Sequence, residues 1–600
     1  MVINDKNTLT ELIKTAEDNL RERDNRIIRY RALYNMDHYS TNAVKGMPAE
    51  YHRVLNKYSY IANDATNVVN LTVGILSHNA LKFSAFTYRE TKDADRRAGD
   101  IERLVSGMIR MNCVEQEVDI HNDLIHNMTI DGGCAIRTVW VDSGSVEDIE
   151  LGDPDDMDKA VGEEKKSVKV IEGVPAKIDV IPLSNLIYLP GGPKGRWLMI
   201  AMRDERSLDD VRSEFQNYRP EAVGASLVQI KVRFYDVWFW SKDESGAYGV
   251  YNAIVIDNDV VRAPTLMSGY TDLPYTIGFF IPTQDKKPEN WGLSQLFTIE
   301  EDIRMLENRI NHQNRMLDIS ANLPLVAKTR DGRPIDVDAS YGTVVNMGME
   351  ESIDFIRPFT EPPDHSQIVA FAKDSISNGS YPPVTYGAAN GPSGYGLSQM
   401  AEGGRIRLEQ PKRQIELMWE VVIRKMLSLY QKFAPDKAIQ VFGKYKGEPY
   451  VLRDLVGADT KGWFVQTQVD PRFPQDEARM VALGNQLLAI RGVSKRTAQE
   501  KYFGIDDPDR ENDRLLVEAY ENQPQLMQML MAEVAKQYGL QLPEQQAQGS
   551  PPRQPISQPL MSNPEQGVLP PQVAGGMPAG QETPGDAGRL MSMLGGMSGG

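Results

Sequence analysis

Two histidines stand five positions apart in the first quarter of the chain, His121 and His126. Imidazole nitrogens can bind a transition metal or transfer a proton. Residues five apart in a helix lie about 140° apart around its axis, so one helix face cannot present both rings to the same ion. We therefore interpret the two histidines as core or surface side chains, and we predict no metal site from them.

An acidic stretch covers 142–164 and includes Asp153, Asp155, Asp156 and Asp158. Closely spaced carboxylates are typical of calcium-binding loops, but the glycine that an EF-hand requires at its sixth position is missing. A solvated acidic loop or small insertion is the favoured interpretation. A metal-dependent nuclease that uses Asp155 and Asp156 stays open as a less favoured alternative.

The segment Gly394-Tyr395-Gly396 is the nearest approach to a dinucleotide-binding motif, but it lacks the third glycine and follows coil rather than a strand. The chain contains no G-x-x-x-x-G-K-[ST] sequence, so it lacks the P-loop of an ATP-driven motor. Its seven histidines are scattered and suggest no catalytic triad. We therefore predict no catalytic residue, no metal and no cofactor.

Composition narrows the class of protein. At 600 residues the chain is long enough for two to four structural regions, and 41% apolar residues can build a sizeable core. The formal net charge of -17 argues against a protein that coats DNA, although DNA could still pass it without being held. Cys113 and Cys134 form no ligand or disulfide pattern, so we expect reduced, cytosolic assembly. We predict neither a signal peptide nor a membrane span.

Apolar periodicity predicts an α+β fold made of several regions. The helices predicted in the N-terminal part lie at 8–34, at 61–82 and, as a pair, within 99–130. A strand follows the turn at Asp131-Gly132-Gly133, and 166–285 is rich in strands with one helical insert, SLDDVRSEFQNY. We interpret this whole part as one mixed α/β domain.

A long amphipathic helix is predicted at 294–320. Its apolar residues alternate at spacings of three and four, with Gln313 in the one polar slot, and they are Leu296, Ile299, Ile303, Leu306, Ile310 and Leu317. Such a seam fits either the core of a single protomer or a contact between subunits. The polar stretch 308–315 favours a wet channel or an intersubunit groove. We accordingly expect Ile303→Asp to be disruptive and Asn311→Ala to be mild.

The rest of the chain continues this order of parts. Short strands are predicted within 323–358, a helix at about 364–377, a Gly/Pro-rich loop at 379–396, and a second long helix that Gly403, Gly404 and Pro411 should kink. A β-like piece at 439–468 and further helices to about Tyr538 follow. The last 60 residues hold ten Pro and eleven Gly, and this composition predicts disorder.

This order resembles the portal proteins of tailed bacteriophages, the head–tail connectors. The resemblance rests on the helix that begins with WGLSQ, the strand-rich 323–358, the loop SYPPVTYGAANGPSGYG and the helix GLSQMAEGGRIRLEQPKRQIELMWEVV, with IRGVSKRTAQEKYFGIDDPDRE resembling an entry to the crown. It covers roughly 20–540. The regions it implies are N-terminal helices and an α/β wing (1–285), a first stem helix (286–322), a β-rich clip (323–360), a second stem helix (361–378), a tunnel loop (379–396), a kinked wing or crown helix (397–438), a β piece with a helical crown (439–540) and a disordered tail (541–600).

The resemblance also implies a function without catalysis. Portal subunits form a ring, usually of twelve copies, at one capsid vertex of the virion, and double-stranded DNA passes through it during packaging and ejection. The implied partners are the terminase, tail adaptor proteins, and capsid and scaffolding proteins, with assembly in the host cytoplasm and no membrane.

The same resemblance assigns roles to individual residues. The DNA-facing candidates of the tunnel loop are Tyr386, Asn390, Ser393 and Tyr395, and its hinges are Gly387, Gly391, Gly394 and Gly396. The clip would present Lys328, Arg330 and Arg333 to partners. Another oligomeric head or adaptor protein is the main alternative.

Overall fold

The structure is a computed structural model. It describes residues 6–37, 60–78, 81–87, 94–141, 146–150, 167–171, 173–193, 197–216, 218, 231–242, 246–321, 325–328, 352–355, 366–380, 394–445, 448–469, 476–505 and 508–521. The predicted disordered tail and most of the acidic stretch lie outside these ranges. The chain divides into two compact units, Met1–Leu515 and Leu516–Gly600, and only 516–521 of the second are described.

Helices and strands alternate irregularly along the chain, which confirms the predicted mixture of α and β structure. The helices are α1 (Lys6–Tyr34), α2 (Asp64–Ser77), α3 (Ala94–Gln116), α4 (Ile120–Asp131), α5 (Leu208–Glu214), α6 (Glu300–Ala321), α7 (Ser366–Gly379), α8 (Gly394–Phe433), α9 (Asp476–Ala489), α10 (Lys495–Lys501) and α11 (Pro508–Glu521). The first ten strands are β1 (Lys82–Thr87), β2 (Gly133–Trp140), β3 (Val146–Glu150), β4 (Ser167–Ile171), β5 (Ala176–Pro182), β6 (Leu186–Pro190), β7 (Trp197–Ser207), β8 (Lys231–Lys242), β9 (Tyr248–Ile256) and β10 (Asp259–Leu266). The others are β11 (Tyr275–Phe279), β12 (Ile281–Pro282), β13 (Gly292–Leu293), β14 (Leu325–Lys328), β15 (Ser352–Phe355), β16 (Lys437–Ile439), β17 (Val441–Tyr445), β18 (Glu448–Leu452) and β19 (Trp463–Gln468).

The first core forms where α1 packs on two antiparallel sheets, one ordered β10-β9-β8-β7-β6 and the other β11-β2-β5. The α1 residues Leu9, Ile13 and Leu20 recur at helical spacing and are buried in this core. Each such side chain contributes about 1.5–3 kcal/mol by leaving water. Burial of this one face explains why the predicted helix at 8–34 forms over nearly the predicted range.

The second core is larger and is built mainly from helices. Residues of α2, α3, α4, α6, α7 and α8 share it, and Trp419 of α8 is its largest fully buried side chain. Because α8 also packs on β2 and β11, it joins this helical core to the sheets. The long helix α8 is therefore part of the body of the protein.

Strand pairing differs from the predicted regions at 439–468. The resemblance groups this segment with the C-terminal helices, but β16, which ends at Ile439, pairs with β4 in parallel and β19 pairs with β1 in antiparallel register. The hairpin of β17 and β18 packs on α3. The segment therefore belongs to the N-terminal body, because its strands find their hydrogen-bonding partners there.

The second long helix, α8, runs as one continuous helix through Gly403, Gly404 and Pro411. It begins at Gly394, two residues before the predicted end of the loop at 396. Gly394, Tyr395 and Gly396 thus belong to its first turn rather than to the tunnel loop. Glycine is tolerated in this first turn, because the first N–H groups of a helix have no hydrogen-bond partner within the helix.

Candidate functional site: a helical pair that leaves and re-enters the body

The long helix predicted at 294–320 starts as a short 3-10 turn, Gln295–Thr298, and continues as α6 from Glu300. Ser294 caps the turn, since its hydroxyl accepts the Leu296 N–H at 3.0 Å and donates to the Thr129 carbonyl at 2.8 Å. The side chain is only 1% exposed. It therefore fixes the start of the helix to the end of α4.

A close backbone contact lies beside this cap. Gly132 ends α4 with a positive φ of 81°, and a Cβ at this position would lie 2.8 Å from the Ser294 nitrogen. Because only glycine combines this conformation with this approach, α4 and the start of the 3-10 turn can meet backbone to backbone.

A buried carboxylate ties the first turn of α6 to the N-terminal helix. Glu300 is 5% exposed, and its Oε1 accepts from Arg29 Nε at 3.0 Å and from Arg304 at 2.7 Å. A carboxylate at a helix N-terminus is also favoured by the helix dipole. Two cations and the dipole together compensate the cost of burying this charge.

The apolar seam divides into two halves. Leu296, Ile299, Ile303 and Leu306 are buried in the helical core of their own protomer. Ile310 is partly buried against that core, whereas Leu317 is 51% exposed. The first half of the seam therefore acts as a core helix, and in the second half only Leu317, among these six seam residues, is exposed.

Within the polar stretch of α6, Asn308, Arg309, His312 and Asn314 are exposed. Asn311 is not: it is 6% exposed, its Oδ1 accepts the Tyr60 N–H at 2.6 Å and its Nδ2 donates to the Tyr60 carbonyl at 3.3 Å. This corrects the expectation that Asn311→Ala is mild, because the change would leave two backbone groups unpaired.

One turn earlier, Glu307 makes a similar contact. Its side chain is fully buried, and Oε1 accepts the Ala62 N–H at 2.8 Å. Glu307 and Asn311 therefore hold the residues that precede α2 against α6. The seam pattern did not reveal these two residues. A signal existed in the sequence, since Glu307 directly follows the seam position Leu306 and Asn311 directly follows the seam position Ile310.

The helix α7 runs back along α6. Near its end, Ser375 Oγ donates to Asp302 Oδ2 at 2.7 Å, and Thr298 Oγ1 donates to the Gly379 carbonyl at 3.2 Å. A Cβ on Gly379 would lie 2.7 Å from Ile299 Cγ2, so the helices approach closely there. Since the end of α7 meets the start of α6, the two helices are antiparallel.

Between these helices the chain forms a short antiparallel ladder, in which Leu325 pairs with Phe355 and Lys328 with Ser352. These strands lie where the clip was predicted. Lys328 is exposed, whereas Arg330 and Arg333 lie outside the described residues. Whether the three cations form one surface stays a prediction.

The predicted tunnel loop connects α7 to α8, and 381–393 lie outside the described residues. This range includes Tyr386, Asn390 and Ser393 and the predicted hinges Gly387 and Gly391. The residue before it is anchored, because the guanidinium of Arg407 on α8 donates to the Ser380 carbonyl. The end of the connection at Ser380 is therefore held by α8.

Two titratable side chains fix α8 in the body. The indole Nε1 of Trp419 donates to His121 Nδ1 at 3.2 Å, and burial lowers the pKa of His121 to about 4. Lys425 Nζ donates to the carbonyls of Leu273 and Tyr275 at 2.8 and 2.7 Å, and burial lowers its pKa to about 8. Sequence reasoning missed Lys425, because one cation in an amphipathic helix carries no distinguishing pattern.

His126 lies apart from His121 and packs edge-on against the ring of Tyr34, with centroids 5.1 Å apart. Asp155 and Asp156 lie outside the described residues. Across the described ranges, no group of three or more His, Cys, Asp or Glu is arranged to hold a metal ion. The same ranges contain no helix that is long and apolar enough to cross a membrane.

The chain matches no protein-family model, and no curated protein matches it either. Among solved structures it is similar to the neck of an empty GTA particle computed with C6 symmetry, at 12% sequence identity and a TM-score of 0.37. The match covers 76% of this chain and 94% of that chain. A TM-score of this size does not establish a common fold.

Proposed function

We propose that this chain is a portal-like subunit of a phage-like virion. Copies of it form a ring at one capsid vertex, and double-stranded DNA passes through the central channel. The terminase docks on the ring during packaging, and tail adaptor proteins dock afterwards. The chain itself performs no catalysis in this proposal.

One observation carries the proposal: α6 leaves the body, a two-stranded ladder follows, and α7 returns antiparallel to the start of α6. A connection and the long helix α8 come next. The sequence resemblance to portal proteins implies the same order of stem, clip, stem, tunnel loop and long helix. The antiparallel arrangement of α6 and α7 rests on the contacts of Ser375 with Asp302 and of Thr298 with Gly379, which do not depend on the resemblance.

The split seam supplies a contact for assembly. Its first half is occupied by the protomer's own core, so a neighbouring copy would meet Leu317 and the exposed polar side chains of α6. A ring uses two different surfaces of each copy, and a rotation closes it. Twelve copies would carry roughly -200 formal charges, so interfacial pairing must offset their repulsion.

The first test is microscopy of the purified full chain by negative stain, with light scattering to measure mass. We expect rings with a central hole and about twelve subunits. A monomer, or a filament that does not close, would overturn the proposal. Cleavage of DNA that depends on a divalent ion, and that is abolished by Asp155→Ala and Asp156→Ala, would favour the nuclease instead.

A matched pair of variants separates assembly from folding. Leu317→Asp places a charge on an exposed position, so the protomer should keep its circular dichroism spectrum while rings are lost. Ile303→Asp places the charge in the core and should unfold the protomer. If Leu317→Asp forms normal rings, the second half of the seam is not a contact between copies.

Deleting 387–393 tests the channel. This deletion spares α7 and α8, so rings should still assemble while DNA packaging or retention is impaired. An adaptor protein would tolerate the deletion in a packaging assay, because its role begins after the DNA has entered. Loss of ring formation would instead assign the loop a structural role.

A further inference from the structure

A small polar cavity lies between α8 and the segment 270–274, which precedes β11. Its volume is about 20 Å³, and its lining includes Thr138 of β2 and the α8 residues Lys425 and Ser428. A polar cavity of about 10–15 Å³ or more can hold one water molecule, provided that at least two polar groups surround that water. The cavity therefore has the size of a site for one small molecule.

The hydroxyl of Thr138 is a buried polar group in this lining. The residue is 0% exposed, and its Oγ1 has no hydrogen-bond partner among the described residues. The backbone of the same residue is paired, because its N–H donates to the Pro274 carbonyl at 2.7 Å. Most buried side-chain polar atoms in proteins bond to another protein group or to ordered water, since an unpaired one costs free energy. A molecule in the cavity would supply the partner that Oγ1 lacks.

Lys425 brings a second polar group to the cavity. Its ammonium has three N–H donors, and two of them bond to the carbonyls of Leu273 and Tyr275, at 2.8 and 2.7 Å from Nζ. Burial lowers its pKa to about 8, so the ammonium is still mostly protonated at neutral pH. One donor therefore remains for a bound molecule. Since Thr138 Oγ1 has no bond to Nζ, one molecule between the two atoms can satisfy both.

The charges around the cavity favour a neutral molecule. The Lys425 ammonium disfavours a metal cation, because like charges repel at short range. An anion is disfavoured by the carboxylate of Asp272, which also lines the cavity, and by the two carbonyl oxygens that already face the ammonium. Water is neutral and small enough, and it can accept a hydrogen bond from an ammonium while it donates one to a hydroxyl.

We infer that this cavity binds one ordered water molecule that bridges Lys425 and Thr138. The water accepts a hydrogen bond from Lys425 Nζ and donates one to Thr138 Oγ1. The direct hydrogen bonds of Lys425 reach only Leu273 and Tyr275, so the water adds a polar link between α8 and β2. This inference does not depend on ring formation or on DNA passage. It can therefore fail without affecting the proposed function.

A change of Thr138 to valine tests the water through the sign of its effect on stability. Valine keeps the branched shape and removes only the hydroxyl. If the water is bound, Thr138→Val removes a satisfied hydrogen bond, and the folding equilibrium constant of the full chain should fall by about threefold to tenfold. If the hydroxyl has no partner, its removal should leave that constant unchanged or raise it. Urea denaturation followed by tryptophan fluorescence measures the change.

Thr276 of β11 provides the matched control. It is also buried, and its Oγ1 also lacks a partner among the described residues, but it does not line the cavity. Thr276→Val should therefore leave the folding equilibrium constant unchanged or raise it. Equal losses in the two variants, or no loss in Thr138→Val, would overturn the inference.

A crystal structure or a cryo-EM map of the full chain, at a resolution that shows ordered water, gives a direct readout that needs no variant. We expect one water peak at about 2.7–3.2 Å from both Lys425 Nζ and Thr138 Oγ1. The absence of a peak, or a peak that bonds to only one of the two atoms, would overturn the inference. A crystal soaked in bromide distinguishes an anion, because an anomalous peak in the cavity would show that the site binds a halide instead of water.

Discussion

Asn311 pairs with Tyr60 as one β-strand residue pairs with another. Its carboxamide accepts the Tyr60 N–H at 2.6 Å and donates to the Tyr60 carbonyl at 3.3 Å. A side chain of α6 thus satisfies both backbone groups of one residue in the approach to α2. Because the pair is only partly exposed, water does not fully replace these bonds when they are lost.

Asn311→Ala should therefore lower the free energy of unfolding by about 1–3 kcal/mol. The measurement is urea denaturation followed by circular dichroism. Asn308→Ala is the matched control, since Asn308 is exposed on the same helix and its change should stay within about 0.5 kcal/mol. Equal effects of the two changes would mean that the contact with Tyr60 contributes no stability.

His121 should make the protein sensitive to acid. Burial lowers its pKa from 6.5 to about 4, so the unfolded chain binds the proton more readily than the folded chain. The stability this contributes is present above pH 6.5 and is lost as the pH falls toward 4, to a limit of about 3 kcal/mol. His121→Phe should flatten the dependence of Tm on pH within this window. Asn314→Ala, at an exposed position without a titratable group, should leave the dependence unchanged.

Lys425 should make the stability of the protein depend on pH in the alkaline range. Burial lowers its pKa from 10.5 to about 8, so the folded state loses this proton before the unfolded state does. Stability should therefore rise between pH 8 and 10.5, by an amount on the order of 2–3 kcal/mol. Unfolding curves of Lys425→Met should lack this rise relative to those of Lys432→Met, an exposed position on the same helix. Identical pH profiles of the two variants would contradict the assignment.

Gly132→Ala should separate backbone strain from crowding. The φ angles of Gly132 and Gly246 are 81° and 82°, but a Cβ on Gly246 meets nothing within 4 Å. Gly246→Ala should cost only the left-handed conformation, about 1–2 kcal/mol. Gly132→Ala should cost clearly more, because its Cβ would press on the backbone at Leu293 and Ser294. Thermal unfolding of both variants measures the difference.

Local patterns predicted the elements well. The i, i+3, i+4 repeat located α1, and it also marked the seam residues Leu296, Ile299, Ile303 and Leu306, which lie buried in the chain's own core. Such patterns report which face of an element is apolar, and they depend only on neighbouring residues. Which partner covers that face depends on the rest of the molecule. The first half of the seam meets its own protomer, which spacing alone could not distinguish from a subunit contact.

Long-range contacts could not be predicted from the sequence. Nothing near 439–468 indicates that β16 would join β4 or that β19 would join β1, because strand propensity does not name a partner. The roles of Glu307 and Asn311 were missed for the same reason. Both are polar residues in a polar stretch, and their importance comes from backbone groups at Ala62 and Tyr60.

The pairing of β1 with β19 can form only late in the synthesis of the chain. Thr87 and Gly462, which are hydrogen-bonded beside this ladder, lie 375 positions apart. At about 5–20 residues per second, a ribosome needs roughly 20–75 s to synthesise the chain between them. Both α6 and α7 are therefore synthesised before β1 can receive its partner. Any surface that depends on the finished body becomes available only after most of the chain has left the ribosome.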